Sequence, residues 1–301
     1  MNAQQSRGPK PGSQKFSAGE LVDLPDVIAR QSRFSGALLW ALLVLVLAWV
    51  LSLFLFNPKL DLSYVTRFIF SPSVLSGLGN TLLLALSAQV LAMAGGLIVG
   101  YFRLSGLRAL RAAAWLYVWF FRSTPLLVQI LFWGNLALFI PRIGWGDSSI
   151  STNVLLTPFI ASVIALGVHE AAYLGEVVRS GVQSVTVGQR EAAAAIGLNW
   201  WQTQRYVILP QALRVMLPQF GSFFVLLLKS TSLVSVIGGG DLLSAAENIA
   251  NSNYRIIELL IVATIWFLLV TNIASIGQAL LERRFSRQHR RASVKKGGRR
   301  G

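Results

Sequence analysis

Few residues in this 301-residue chain could do chemistry, and most of them stand inside apolar runs. His169 and Glu170 lie in one such run and Lys229 in another. Gln129 and Asn135 lie in a third, and Asn80, Thr81 and Gln89 in or near a fourth. An ionisable group in hydrocarbon costs roughly 3 kcal/mol or more, so it faces a water-filled cavity or a partner. Two readings follow. These side chains line a path and meet the charged ends of a small zwitterion, or they are structural. In the structural case Glu170 or Glu176 pairs with Lys229 or an arginine, and the amides bind neighbouring helices.

Other chemistries find no residues. No Gly-x-x-x-x-Gly-Lys-Ser/Thr loop is present, so the chain does not hold a nucleotide triphosphate in that way. The two histidines, His169 and His289, have no ligand-spaced partners, which argues against a metal site. Cysteine is absent, so there is neither a disulfide framework nor thiol chemistry. No Ser/His/Asp set falls on a loop, and the isolated chain is expected not to be an enzyme.

The elements that must position these residues are membrane helices. Hydrophobic residues make up 54% of the chain and charged residues only 13%, about half the charge of a soluble domain. Six apolar segments are predicted as spans: Gly36–Phe56, Thr81–Tyr101, Pro125–Ile140, Val154–Leu174, Leu217–Ile237 and Ile257–Ile276. The third is short, and Trp115 to Phe121 extends it on the N-terminal side. Gly36 to Phe56 runs 21 residues without a charge, enough to cross a bilayer, and lacks a small-residue cleavage site; it reads as a retained anchor.

Charge placement orients the bundle. With a cytoplasmic N-terminus, 22 Lys and Arg fall on the cytoplasmic side and 4 on the other. Both termini are therefore expected in the cytoplasm. The net charge of +15 belongs to this pattern and to the basic tail, and is not read as a nucleic-acid surface. The tail from Arg283 to Gly301 is expected to be disordered against anionic lipid. Trp115, Tyr117 and Trp119, near Arg108 and Arg111, read as an interfacial belt. Gly96 and Gly100 form a small-xxx-small pair that permits close helix approach.

The longest cytoplasmic loop, near residues 177–216, carries a second kind of site. Val187 to Ile196 is Ala-rich and helical in propensity, and Gly197 stops it. A second helical stretch, Trp200 to Val207, is expected to end at Leu209-Pro210. Small side chains at Ala192 to Ala195 would let this helix enter a partner's groove, and Glu191 offers a charge to a basic surface.

Glu191-Ala192-Ala193, Gly197, Val207 and Leu209-Pro210 together resemble the EAA loop of ABC importer permeases, with valine where isoleucine is usual. The match extends to Phe121–Gln129, to Ala172–Val182, to Gly188-Gln189 and to Leu209–Arg214 with Leu217-Pro218. Leu228-Lys229-Ser230-Thr231-Ser232-Leu233 also fits, with Ser230 in place of an acid. The resemblance is to the histidine, glutamate, glutamine and arginine type of permease, over about residues 77–278.

It implies an all-α membrane protein: a five-span core at 77–278, preceded by a cytoplasmic tail at 1–33 and an extra helix at 34–56. A coupling loop at 177–213 and a basic tail at 282–301 complete the scheme. It further implies amino-acid import driven by separate ATPase subunits, which would bind the ATP and Mg; this chain would carry no cofactor. A periplasmic or lipid-anchored binding protein and a second permease copy or paralogue would be its other partners. The coupling residues would be Glu191, Ala192, Ala193, Gly197, Leu209 and Pro210, and the substrate path would include Glu170, Gln129, Lys229 and Thr231. An ATPase-independent secondary transporter would call for broken spans with paired charges or an inverted repeat. A membrane docking protein without transport is the other alternative.

Overall fold

The computed structural model describes residues 33–55, 60–146 and 149–297. Two units are distinct, residues 1–60 and 61–301. In the first, helix α1 (Arg33–Leu55) has 23 residues, about 34 Å, and is apolar on all sides, as a helix surrounded by lipid must be. The tail at residues 1–32 lies outside the described residues.

The second unit is a helical bundle. It opens with the short α2 (Leu62–Phe68), capped by Asp61, whose side chain accepts from the Ser63 amide. Next come α3 (Pro72–Leu104), α4 (Arg108–Ser123) and α5 (Leu126–Gly134). Strands β1 (Arg142–Ile143) and β2 (Ile150–Ser151) form a small antiparallel hairpin, and α6 (Thr152–Leu155) follows. The chain continues through α7 (Pro158–Gln183), α8 (Val187–Ala195), α9 (Trp200–Gln202) and α10 (Leu209–Ser230), the last extended by a 3-10 turn at Thr231–Ile237. Helices α11 (Leu242–Asn253) and α12 (Ile256–Gly297) complete it.

Among the described residues, four continuous helical stretches are long and apolar enough to cross a membrane: Pro72–Leu104, Pro158–Gln183, Trp200–Ile237 and Ile256–Phe285. The third expected span differs. It is a broken one, α4 and α5 meeting at 100°. Pro125 has no amide hydrogen to continue the helix, and it pushes Thr124 into an extended conformation (φ −99°, ψ 138°). With the bent pair counted as one span the described residues hold five, and in α1 the stretch Leu38–Trp49 is a shorter apolar helix.

The central contact is α3 against α7. The two helices run in the same sense, since Gly96 meets Leu174 and Gly100 meets Val178. A Cβ on Gly96 would lie 2.6 Å from the Leu174 Cβ, so the glycine pair serves an approach within the chain. Three apolar layers fill the bundle. One joins Val65, Val74, Leu242 and Leu259, a second Leu84, Ile130, Leu166 and Leu227, and a third Leu174, Ala212, Met216 and Phe220.

Several connections are more ordered than the sequence implied. After the 3-10 turn, Gly238-Gly239-Gly240 is held in place: Asn80 Nδ2 donates to the Gly240 carbonyl (3.0 Å), and the Leu242 amide donates to Thr81 Oγ1 (2.9 Å). Asp241 then caps α11 by accepting from the Leu243 and Ser244 amides, and burial raises its carboxyl above the usual range against the pull of those bonds. Helix α12 continues through Gly297, so most of the basic tail is helical, in line with its Ala, Arg, Gln and Lys content.

Candidate coupling hairpin and path residues

The hairpin is built on rigid supports. Helix α7 runs to Gln183, well past the expected end of its span, and the helix that follows the hairpin begins at Trp200. The connection between spans therefore narrows to residues 184–199, with α8 at its centre. The expected loop at 177–213 is for the most part the helical extension of its two neighbours.

Gly197 makes the elbow. At φ +79° it occupies the left-handed region, where a Cβ would be strained. Its amide donates to the Ala194 carbonyl (2.9 Å) and the Leu198 amide to the Ala193 carbonyl (3.1 Å), the two bonds that close a Schellman cap. The next helix starts at once. Asn199 accepts from the Gln202 amide and the Gln202 side chain accepts from the Asn199 amide, each at 2.9 Å, a capping box.

The expected break at Leu209-Pro210 does not occur. Residues Thr203–Ile208 form a π-helical turn, and the Leu209 amide reaches back five residues to the Gln204 carbonyl. The wider turn accommodates Pro210, which lacks an amide hydrogen and would crowd the carbonyl four residues earlier in a regular helix. The rod is thus continuous from Trp200 into the membrane span.

One face of the hairpin is open. Glu191, Ala192, Gly197, Leu209 and Pro210 are exposed, whereas Ala193 is buried against the bundle. Val187, Ile196, Trp201 and Tyr206 also stand out into solvent; Ile196 and Trp201 are both 75% exposed. These large apolar side chains were not anticipated, although Val187 and Glu191 share a helix face by their four-residue spacing. The hairpin thus exposes large apolar side chains near a carboxylate.

Behind this surface an ion-pair network joins α3 to α7. Glu176 accepts from Arg103 Nε (2.9 Å) and Arg179 Nε (2.7 Å), and Arg179 Nη1 donates to Gln183 Oε1 (2.7 Å). Glu176 is therefore bound by two arginines and not by Lys229.

The path residues divide. Gln129 is buried, and its Nε2 donates to the Phe121 carbonyl (3.1 Å), the Thr124 carbonyl (3.2 Å) and Thr124 Oγ1 (2.7 Å). It satisfies the carbonyls released where α4 turns into α5, and its Oε1 meets His169 Nδ1 at 3.3 Å. Thr231 is fully buried and donates to the Leu228 carbonyl (2.7 Å). Lys229 is exposed and makes no ion pair among the described residues. Glu170 is buried, and its Oε1 has no hydrogen-bond partner among the described residues. Buried Gln89 on α3 likewise has an unpartnered Oε1. Glu170 falls on α7 between Leu166 and Leu174, which belong to two different apolar layers.

The bend gives a direct prediction. Gln129→Leu removes three donor contacts to the corner and strands partly buried carbonyls, at a cost of about 1–3 kcal/mol. The melting temperature of the purified chain should fall; an unchanged value would show that the corner does not need the amide.

Residues 92–287 match the family described as "Binding-protein-dependent transport system inner membrane component". The arginine transport system permease protein ArgU of Corynebacterium glutamicum is 38% identical over 249 residues, which cover 82% of this chain and 79% of ArgU. The glutamine transport system permease protein GlnP of Escherichia coli is 35% identical over 200 residues, 65% of this chain and 87% of GlnP. A solved structure described as an amino acid ABC transporter with histidines superposes with a TM-score of 0.65 at 32% identity. That match covers 75% of this chain and 99% of the other. With its spans, its broken third crossing and its capped hairpin, this chain belongs to the inner-membrane components of binding-protein-dependent transport systems.

Proposed function

We propose that the chain is the permease subunit through which an amino acid, of polar or charged type, is imported, and that a separate ATPase drives it through the hairpin. The observation that carries this reading is the exposed apolar and acidic face of α8 and its elbow, mounted on the ends of two spanning helices. A rigid hairpin transmits displacement, and a floppy loop would not. The relatives ArgU and GlnP, named for arginine and glutamine transport, support the substrate class.

In this scheme both termini are cytoplasmic, and two permease chains form the pore. Each hairpin docks on one ATPase subunit, which holds the ATP and Mg. A binding protein on the opposite side delivers the substrate. Closure of the ATPase pair moves the hairpins, and α7 and α10 carry that motion into the bundle. Glu170, with an oxygen left unpartnered in a mostly apolar wall, is the side chain suited to meet an ammonium group on its way through.

Reconstitution with its ATPase and binding protein tests this directly. Uptake of a labelled amino acid into liposomes should require ATP and survive an uncoupler. Uptake that survives ATP depletion but collapses with the uncoupler would favour secondary transport instead. Glu170→Gln keeps the shape and removes the charge. It should lower uptake at saturating binding protein about tenfold, the effect of losing about 1.4 kcal/mol of interaction. Unchanged uptake would remove Glu170 from the path.

A further inference from the structure

A second site lies on the other side of the hairpin, where α8 faces the bundle. A partly open cavity of about 380 Å³ is lined by Tyr101 and Ser105 at the end of α3, Val182 at the end of α7, Arg190 on α8, and Trp200 and Gln204 beyond the elbow. Among the described residues no carboxylate lines it. Arg190 Nη2 is fixed on the Val182 carbonyl (2.8 Å), while its Nε is buried with no acceptor. Glu176, the acid on this part of α7, already has both oxygens bound by Arg103 and Arg179. The cavity is thus lined by one anchored guanidinium together with hydroxyl, amide and indole groups.

We infer that this cavity holds a phosphate oxyanion. A guanidinium binds such a group through parallel N–H donors, and the interaction is strongest where water is excluded. The position favours the phosphodiester of an anionic phospholipid over free phosphate. The cavity sits at the ends of α3 and α7, two helices long and apolar enough to span, and Tyr101 and Trp200 beside it are of the residue types that gather at a membrane–water interface. It also lies on the face of α8 that carries Arg190 and buried Ala193, away from the exposed Glu191. A phosphate bound there would tie α8 to α3 and hold the hairpin against the spans. The inference goes beyond the transport reading and does not depend on it.

The test is the melting temperature of the purified full chain in neutral detergent, with three probes: short-chain phosphatidylglycerol, inorganic phosphate and short-chain phosphatidylcholine. At about ten times its dissociation constant, a bound probe should raise the melting temperature by about 3–5 °C. A shift with phosphatidylglycerol alone assigns the site to the anionic lipid. A shift with inorganic phosphate as well assigns it to phosphate from either source. Two variants should lose the shift. Arg190→Gln removes the charge, and Ser105→Asp keeps the cap that accepts from the Leu107 amide while filling the cavity with its own carboxylate. If Arg190→Gln does not fold, Ser105→Asp decides. No shift with either anionic probe, or a shift retained in the folded variants, overturns the inference.

Discussion

Gly197→Val is expected to lower ATP-driven uptake about five- to hundredfold while the chain still inserts in the membrane. A β-branched residue at φ +79° is strained by about 1–3 kcal/mol, and each 1.4 kcal/mol shifts a population tenfold. The strain is relieved by giving up the left-handed turn, and with it the two bonds from Gly197 and Leu198 back to α8. The exposed face carrying Glu191 then leaves its fixed angle to the rod that starts at Trp200. Insertion is unaffected because no span changes its hydropathy. Uptake by the assembled importer and the amount of chain in washed membranes should be measured together. Parental uptake would refute a coupling role for the elbow, and parallel loss of both quantities would reduce the effect to misfolding. Gly197→Asn is the companion variant, since asparagine tolerates the left-handed region and should retain most of the activity.

Gly100→Leu should have the larger effect on folding. A Cβ at Gly100 would lie 2.6 Å from Val178 Cβ and Cγ1 and 2.8 Å from the Gly175 carbonyl oxygen. Helix α3 cannot retreat from one contact without opening its interface with α7 along Gly95 and Gly96, which approach Ala171 and Leu174. Overpacking of even a methylene costs about 1–3 kcal/mol, and four added carbons against backbone exceed that range. Against a total stability of about 5–15 kcal/mol, the folded fraction recovered by size-exclusion chromatography should fall sharply. The control lies on the same helix. Gly79 is exposed and has no atom near its would-be Cβ, so Gly79→Ala should be neutral or stabilising by up to about 1 kcal/mol through helix propensity. Equal recovery of Gly100→Leu and Gly79→Ala would show that the α3–α7 contact does not limit folding.

The extended helices also bear on the coupling role proposed for the hairpin. Arg103, Glu176, Arg179 and Gln183 stiffen the junction from which α8 hangs, and the π-helical turn carries the chain past Pro210 without a break. Motion applied at Glu191 therefore has two continuous routes into the bundle, through α7 and through α10.

Hydropathy and charge placement were enough to establish a multi-span membrane protein, because runs of about 20 uncharged residues and flanking arginines are local properties of the chain. The glycine elbow was legible for the same reason, since a helix former followed by Gly197 stops within one turn whatever surrounds it. What sequence alone could not decide depended on distant neighbours. Pro210 looks like a break until the π turn before it is seen, and Pro125 becomes a 100° corner only because Gln129 can satisfy the carbonyls it frees. Gly96 and Gly100 had no partner until α7 was laid beside them, and Gln129 and Glu170 read alike as polar residues in apolar runs. Tertiary structure separates them, because a hydrogen-bond partner is a matter of position in space: the amide of Gln129 closes a corner, and the carboxylate of Glu170 is left with an oxygen that nothing among the described residues satisfies.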